Sequence, residues 1–113
     1  LSSPGIFNHQ GASMVSIPIL GEIYTVIVTD NLTEDASGEC CAETQTIRLR
    51  TRLRENPDYL WRVLCHEIGH AYIFESGLAE ILTDREQELI AQTCGSLMNQ
   101  LFEKPAWVDE LLK

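Results

Sequence analysis

Basic residues are scarce in this 113-residue chain: eight lysines and arginines stand against 17 acidic residues, for a net charge of -9. That balance argues against general nucleic-acid binding, which relies on a basic surface. By itself it selects no other partner. No apolar run approaches the roughly 20 residues needed to cross a bilayer, so no membrane association is expected. The four cysteines, Cys40, Cys41, Cys65 and Cys94, include no CxxC pair. Neither a disulfide framework nor a zinc ribbon is visible, which favours a reducing, cytoplasmic compartment. Cys65 and Cys94 fall inside helical patterns, where small buried thiols are expected. Internal repeats, linkers and low-complexity tracts are absent too, and the length suits one domain with a modest core.

What is present is organised simply. The opening "LSSPGIFNHQGAS" has no periodicity and runs directly into Met14. It reads as an added leader or a disordered arm over residues 1–13, with a single domain over 14–113. It has neither the charged start nor the apolar segment of a signal peptide, and His9 within it is discounted as a ligand. β-Branched residues dominate 14–19 and 22–28, around Gly21, as in one or two short strands. The polar "TDNLTEDASG" (29–38) reads as a loop. "TQTIRLRTRLR" then alternates, with Ile47, Leu49 and Leu53 on one side and arginines on the other, predicting a half-buried strand at least through Arg50.

Asn56, Pro57 and Asp58 are a strong helix start, as N-cap, first helical residue and acid at the positive helix end. Gly77 suits the left-handed stop after about Ser76. Apolar residues surround most of this helix, which predicts a central position. A second helix begins with a T-x-x-E capping box, Thr83 and Glu86, and runs to about Phe102. "AWVDELLK" could add a short final helix. Strands followed by helices predict an α+β fold.

The first helix carries "VLCHEIGHAY", residues 63–72. Residues four apart share a helix face, so His66 and His70 can direct ring nitrogens at one ion, at the roughly 2.0–2.1 Å typical of zinc–imidazole bonds. Glu67 follows the first histidine and stays near a water bound at such an ion, able to take its proton and pass it to a leaving amine. Gly69 would leave room for a ligand or substrate. A chance H-E-x-x-H in this composition arises on the order of one time in a hundred. The alternative is two satisfied core histidines beside a surface carboxylate. A central helix, however, offers three ionisable groups few ways to be neutralised other than a metal.

Two histidines leave a tetrahedral site one protein ligand short. Glu80, Asp84, Glu86 and Glu88 follow Gly77 and are all candidates. Glu86 already has a task in the capping box, whereas Glu88 has none, so Glu88 is the first choice.

"LCHEIGHAYIFESGL" followed by "EQELIAQTCGSLM" resembles the small phage- and mobile-element-encoded zincin metallopeptidases, relatives of the ImmA/IrrE family and more distantly of SprT-like domains. The likeness covers roughly residues 14–102, including the strands "GEIYTVIV" and "TQTIRLR". It implies a minimal zincin-like, HExxH gluzincin-type fold: a short antiparallel or mixed sheet packed on a central motif helix and a second, ligand-bearing helix. It also implies one zinc ion (Zn2+) on His66, His70 and Glu88, with Glu67 as general base and acid. The implied activity is hydrolysis of peptide bonds in a protein or peptide substrate, inside a bacterial or phage-infected cell. An inactive or structural zinc-binding interaction module, and a SprT-like protease acting on DNA-bound proteins, are the other readings.

Arg48, Arg50, Arg52 and Arg54 make up half of the basic residues. They read as a solvated strand face or as protection of a sheet edge. Under the zincin resemblance they would instead flank an extended peptide added to an edge strand. Tyr59, Tyr72 or an arginine could donate to a developing oxyanion, and spacing selects none of them. Substrate identity and oligomeric state are not encoded in any pattern of this sequence.

Overall fold

The computed structural model describes residues 5–9 and 12–113, with side chains from Ser13 onward, so the His9 side chain lies outside the described residues. The chain is α+β. Five strands, β1 (Gly5–His9), β2 (Ala12–Ile19), β3 (Glu22–Val28), β4 (Gly38–Cys41) and β5 (Thr46–Leu49), form one mixed sheet in the order β1-β2-β3-β5-β4. Only the β3–β5 pair is parallel. Two helices follow, α1 (Pro57–Glu75) and α2 (Asp84–Leu101), together with short 3-10 segments at Thr51–Glu55, Leu78–Glu80 and Ala106–Leu112.

Local chemistry explains most boundaries. Leu20 and Gly21 both have positive φ, 48° and 86°, the pattern of a two-residue hairpin turn whose twist matches its flanking strands. Asn56 Oδ1 accepts from the Tyr59 amide at 3.2 Å, and Pro57 opens α1. Gly77, at φ 87°, provides the left-handed exit. Both halves of the capping box form at α2: Glu86 N donates to Thr83 Oγ1, and Thr83 N to Glu86 Oε1.

The core lies between one sheet face and α1. Alternate strand residues Val15, Ile17, Ile19, Tyr24, Val26, Val28, Ile47 and Leu49 are buried, as are Leu60, Leu64, Cys65, Ile68 and Ala71 of α1. Val108 and Leu111 of the last 3-10 segment join them. That segment is tied to the sheet by Arg54 Nε, which donates to Leu111 O at 2.9 Å, and by Ser13 Oγ, which donates to Lys113 O at 3.0 Å.

Several expectations are corrected. The segment read as a leader or disordered arm contains β1 and the start of β2, paired through Gly5–Ser16 to His9–Ala12, so the sheet begins before Met14. β4, with the sequence GECC, was not expected; Gly38 and Glu39 have weak strand preference, and the strand is held by pairing to β5. β5 ends at Leu49, and Arg52 and Arg54 lie in a 3-10 turn. α1 is less enclosed than its apolar content suggests, because Tyr59, Tyr72 and Phe74 are exposed. Cys65 is buried, but Cys94 is exposed. Among the described residues no helix is long and apolar enough to cross a membrane.

Candidate metal centre

α1 and α2 run antiparallel at very close range, and small residues make this possible. A Cβ on Gly69 would sit 3.2 Å from Ala91 Cα, and one on Gly95 would sit 3.2 Å from the His66 amide nitrogen. Ala91 and Gly95 are the only buried residues of α2. Glu88 lies one turn before Ala91 on the same helix face, so this approach brings its carboxylate over the histidines. Gly69 therefore makes room for the second helix, not for a ligand or substrate as expected.

The resulting geometry is compact. His66 Nε2 and His70 Nε2 are 3.2 Å apart. Glu88 reaches both, with Oε1 at 2.7 Å from His66 Nε2 and Oε2 at 3.0 Å from His70 Nε2. One ligand atom from each residue fits within 4.8 Å of the others, so the three could hold a metal ion. Burial pushes the His70 imidazole below its ordinary pKa despite the opposing pull of Glu88, and His66 adds to the lowering. This favours the neutral ring that a metal requires. The other acids are elsewhere: Glu86 is engaged in its cap, and Glu80 and Asp84 are exposed outside the cluster.

Glu67 is the buried carboxylate of the site, only 9% exposed. Desolvation above all, then the charges of Glu88 and Glu39, raise its pKa from 4.5 to about 7. β4 forms part of the enclosure. A Cβ on Gly38 would meet Val63 Cγ1 at 2.8 Å and Glu67 Cγ at 3.2 Å, so only glycine lets the strand cross here.

Two clefts open along α1 between β4 and α2. One, of about 370 Å³, lies beside His66 and is lined also by Gly38, Tyr59, Arg62, Gln92 and Ser96. The other, of about 540 Å³, lies beside His70 with Glu39, Cys40, Phe74 and Gln87. Glu67 lines both. Tyr59 and Arg62 thus face the first cleft, whereas Tyr72 lines a separate apolar groove with Ile68 and Leu97. The places of Arg62 and Tyr59 could have been found from spacing, since they precede His66 by one and two turns. Gly38 and Gly95 had no comparable signal, because their neighbours come from other elements.

The arginine stripe does not form a binding face on this groove. β5 is internal, between β3 and β4, and β4 is the edge strand on that side of the sheet. Arg50 donates to Ala36 O at 2.7 Å and Thr33 O at 2.9 Å, Arg52 to Ser37 Oγ at 3.1 Å, and Arg54 to Leu111 O. Arg48 alternates with buried Ile47 and Leu49 and so faces away from α1. Three of the four arginines therefore clip loops and the C-terminal segment to the fold.

Comparison with protein-family models, with curated proteins and with solved structures finds no match for this chain.

Proposed function

We propose that the protein is a minimal zincin-like, zinc-dependent metallopeptidase, with His66, His70 and Glu88 holding the ion and Glu67 acting as general base and acid. The donor set fits. Two neutral imidazoles and one carboxylate are a common catalytic zinc set, and tetrahedral bonds of about 2.0–2.1 Å separate ligand atoms by roughly 3.3 Å. The 3.2 Å between the histidine nitrogens lies close to that spacing, and Glu88 brings one carboxylate oxygen to each of them, at 2.7 and 3.0 Å.

The observation that carries the reading is the position of Glu67: buried, one residue from a ligand, and opening on both clefts. A structural zinc site is closed by four protein ligands and has no use for such a group. Zinc, when bound, supplies Lewis acidity that makes water nucleophilic near neutral pH and polarises a carbonyl. Glu67 takes a proton from the attacking water as its oxygen bonds to the carbonyl carbon. It then delivers a proton to the amine nitrogen as the carbon–nitrogen bond breaks. Burial raises the pKa of this carboxyl in the metal-free chain, and a cation held beside it would act in the opposite direction. The clefts on either side allow a polypeptide to cross the site, and Tyr59 and Arg62 line the side where an oxyanion could be met.

Elemental analysis of the purified protein should give about one zinc per chain, lost on His66→Ala. A panel of unstructured proteins should be cut by the wild type and not by Glu67→Gln, with zinc retained in the variant. Absence of zinc, or cleavage that persists in Glu67→Gln, would refute the assignment.

A further inference from the structure

The geometry points to Arg62 as a specificity residue that selects substrates carrying a carboxylate close to the bond to be cut, on the His66 side of the site. This rests on the peptidase reading and adds the substrate class. Arg62 stands one helical turn before His66, on the stripe Arg62-His66-His70, and lines the same cleft as His66 and Glu67.

Its place in the cleft separates it from the other cations: Arg48, on the sheet face away from α1, and Arg85, in the first turn of α2, line neither cleft beside the histidines. Arg50, Arg52 and Arg54 are committed to neighbouring backbone and side-chain oxygens. Lys104 pairs with Asp109, and Lys113 with Glu110. The Arg62 guanidinium makes no hydrogen bond or ion pair among the described residues, although Asp58 lies at the favourable i−4 position. The cleft around it is otherwise uncharged apart from His66 and Glu67, with Tyr59, Gln92 and Ser96 as polar neighbours. In a chain of net charge -9, a free guanidinium beside the reactive centre is a local exception that can accept a carboxylate bidentately.

Spacing narrows the position. One helical turn is about 6 Å at 1.5 Å per residue, which matches roughly two residues of extended chain at about 3.3 Å each. The carboxylate recognised is therefore about two residues from the cleaved bond. It can belong to an acidic side chain or to a chain terminus. The cleft at the other end presents Glu39 instead of a cation, so the preference is one-sided.

The test uses zinc-loaded Glu67→Gln protein and four short peptides carrying an uncharged fluorophore, read by anisotropy. One carries a glutamate and an amidated end, one has no charged side chain but a free C-terminal carboxylate, one is neutral and amidated, and one carries a lysine and an amidated end. A carboxylate-bearing peptide should bind roughly ten- to a hundred-fold tighter than the neutral amidated one, and which of the two does so identifies the source. Adding Arg62→Gln should bring that ratio to about one. Arg62→Glu should turn the preference towards a lysine peptide. Equal affinities, a preference that survives Arg62→Gln, or no measurable binding would each overturn the inference. Selective binding without any cleavage by the zinc-loaded wild type would instead sink the peptidase reading and leave carboxylate recognition standing.

Discussion

The two sides of α1 do different work. Towards the sheet it presents Leu60, Leu64 and Ala71, buried in one apolar cluster with alternate residues of β2, β3 and β5. Towards α2 it presents His66, Gly69 and His70, met by only two buried small residues, Ala91 and Gly95. Apolar volume on the first side provides stability. Close backbone approach on the second provides geometry, and little area is buried to obtain it. The apolar core and the candidate metal site are thus divided across one helix, with Glu67 between the clefts beside β4 and α2.

The division can be broken deliberately. The largest effect is expected at Glu67: Glu67→Gln should reduce peptide cleavage by roughly a hundred- to ten-thousand-fold while zinc stoichiometry stays at the wild-type value, as kinetic and elemental measurements would show. On the sheet side, Leu64→Ala should cost about 2–5 kcal/mol in denaturant unfolding. The folded fraction should keep its zinc affinity. A loss of affinity larger than the loss of folded protein would mean that the two sides are coupled.

On the α2 side the balance should reverse. Gly95→Ala places a methyl 3.2 Å from the His66 amide, so α2 must shift by a few tenths of an ångström and carry Glu88 with it. Zinc affinity in competition titrations should fall roughly ten- to a hundred-fold, against about 1–3 kcal/mol of stability from overpacking. Wild-type affinity in this variant would show that the helix contact does not set the ligand geometry. The smallest effect belongs to the entry of α2, where Thr83→Ala removes the reciprocal cap and should cost about 1 kcal/mol.

The groove also makes metal-free stability depend on pH. Glu67 has its pKa raised to about 7 in the folded chain, against 4.5 for an ordinary glutamate. Between those values the folded state holds a proton that the unfolded chain has released. This contribution is therefore present in full below about pH 4.5 and is lost as the pH rises through about 7. Urea midpoints of metal-free protein across that window should show a decline that Glu67→Gln removes. The same slope in both proteins would place the Glu67 carboxyl in contact with water.

Much of the local architecture was legible in the chain: the cap at Asn56, the glycine exit at Gly77, the capping box at Thr83 and the period-two strand, although it stops at Leu49, short of the expected Arg50. So was the placement of two imidazoles on one helix face. Each depends on residues within a few positions of one another, and the backbone geometry of a single element decides it. The local cap engages Glu86 and so favoured Glu88, but only the packing at Ala91 and Gly95 brings the Glu88 carboxylate over the histidines. Tertiary structure also decided that β4 would be an edge of the sheet, that three of the arginines would become clips, and that Glu67 would be buried between two clefts. These outcomes require segments tens of residues apart to meet. A linear pattern records the groups that can meet, while close packing determines which of them do.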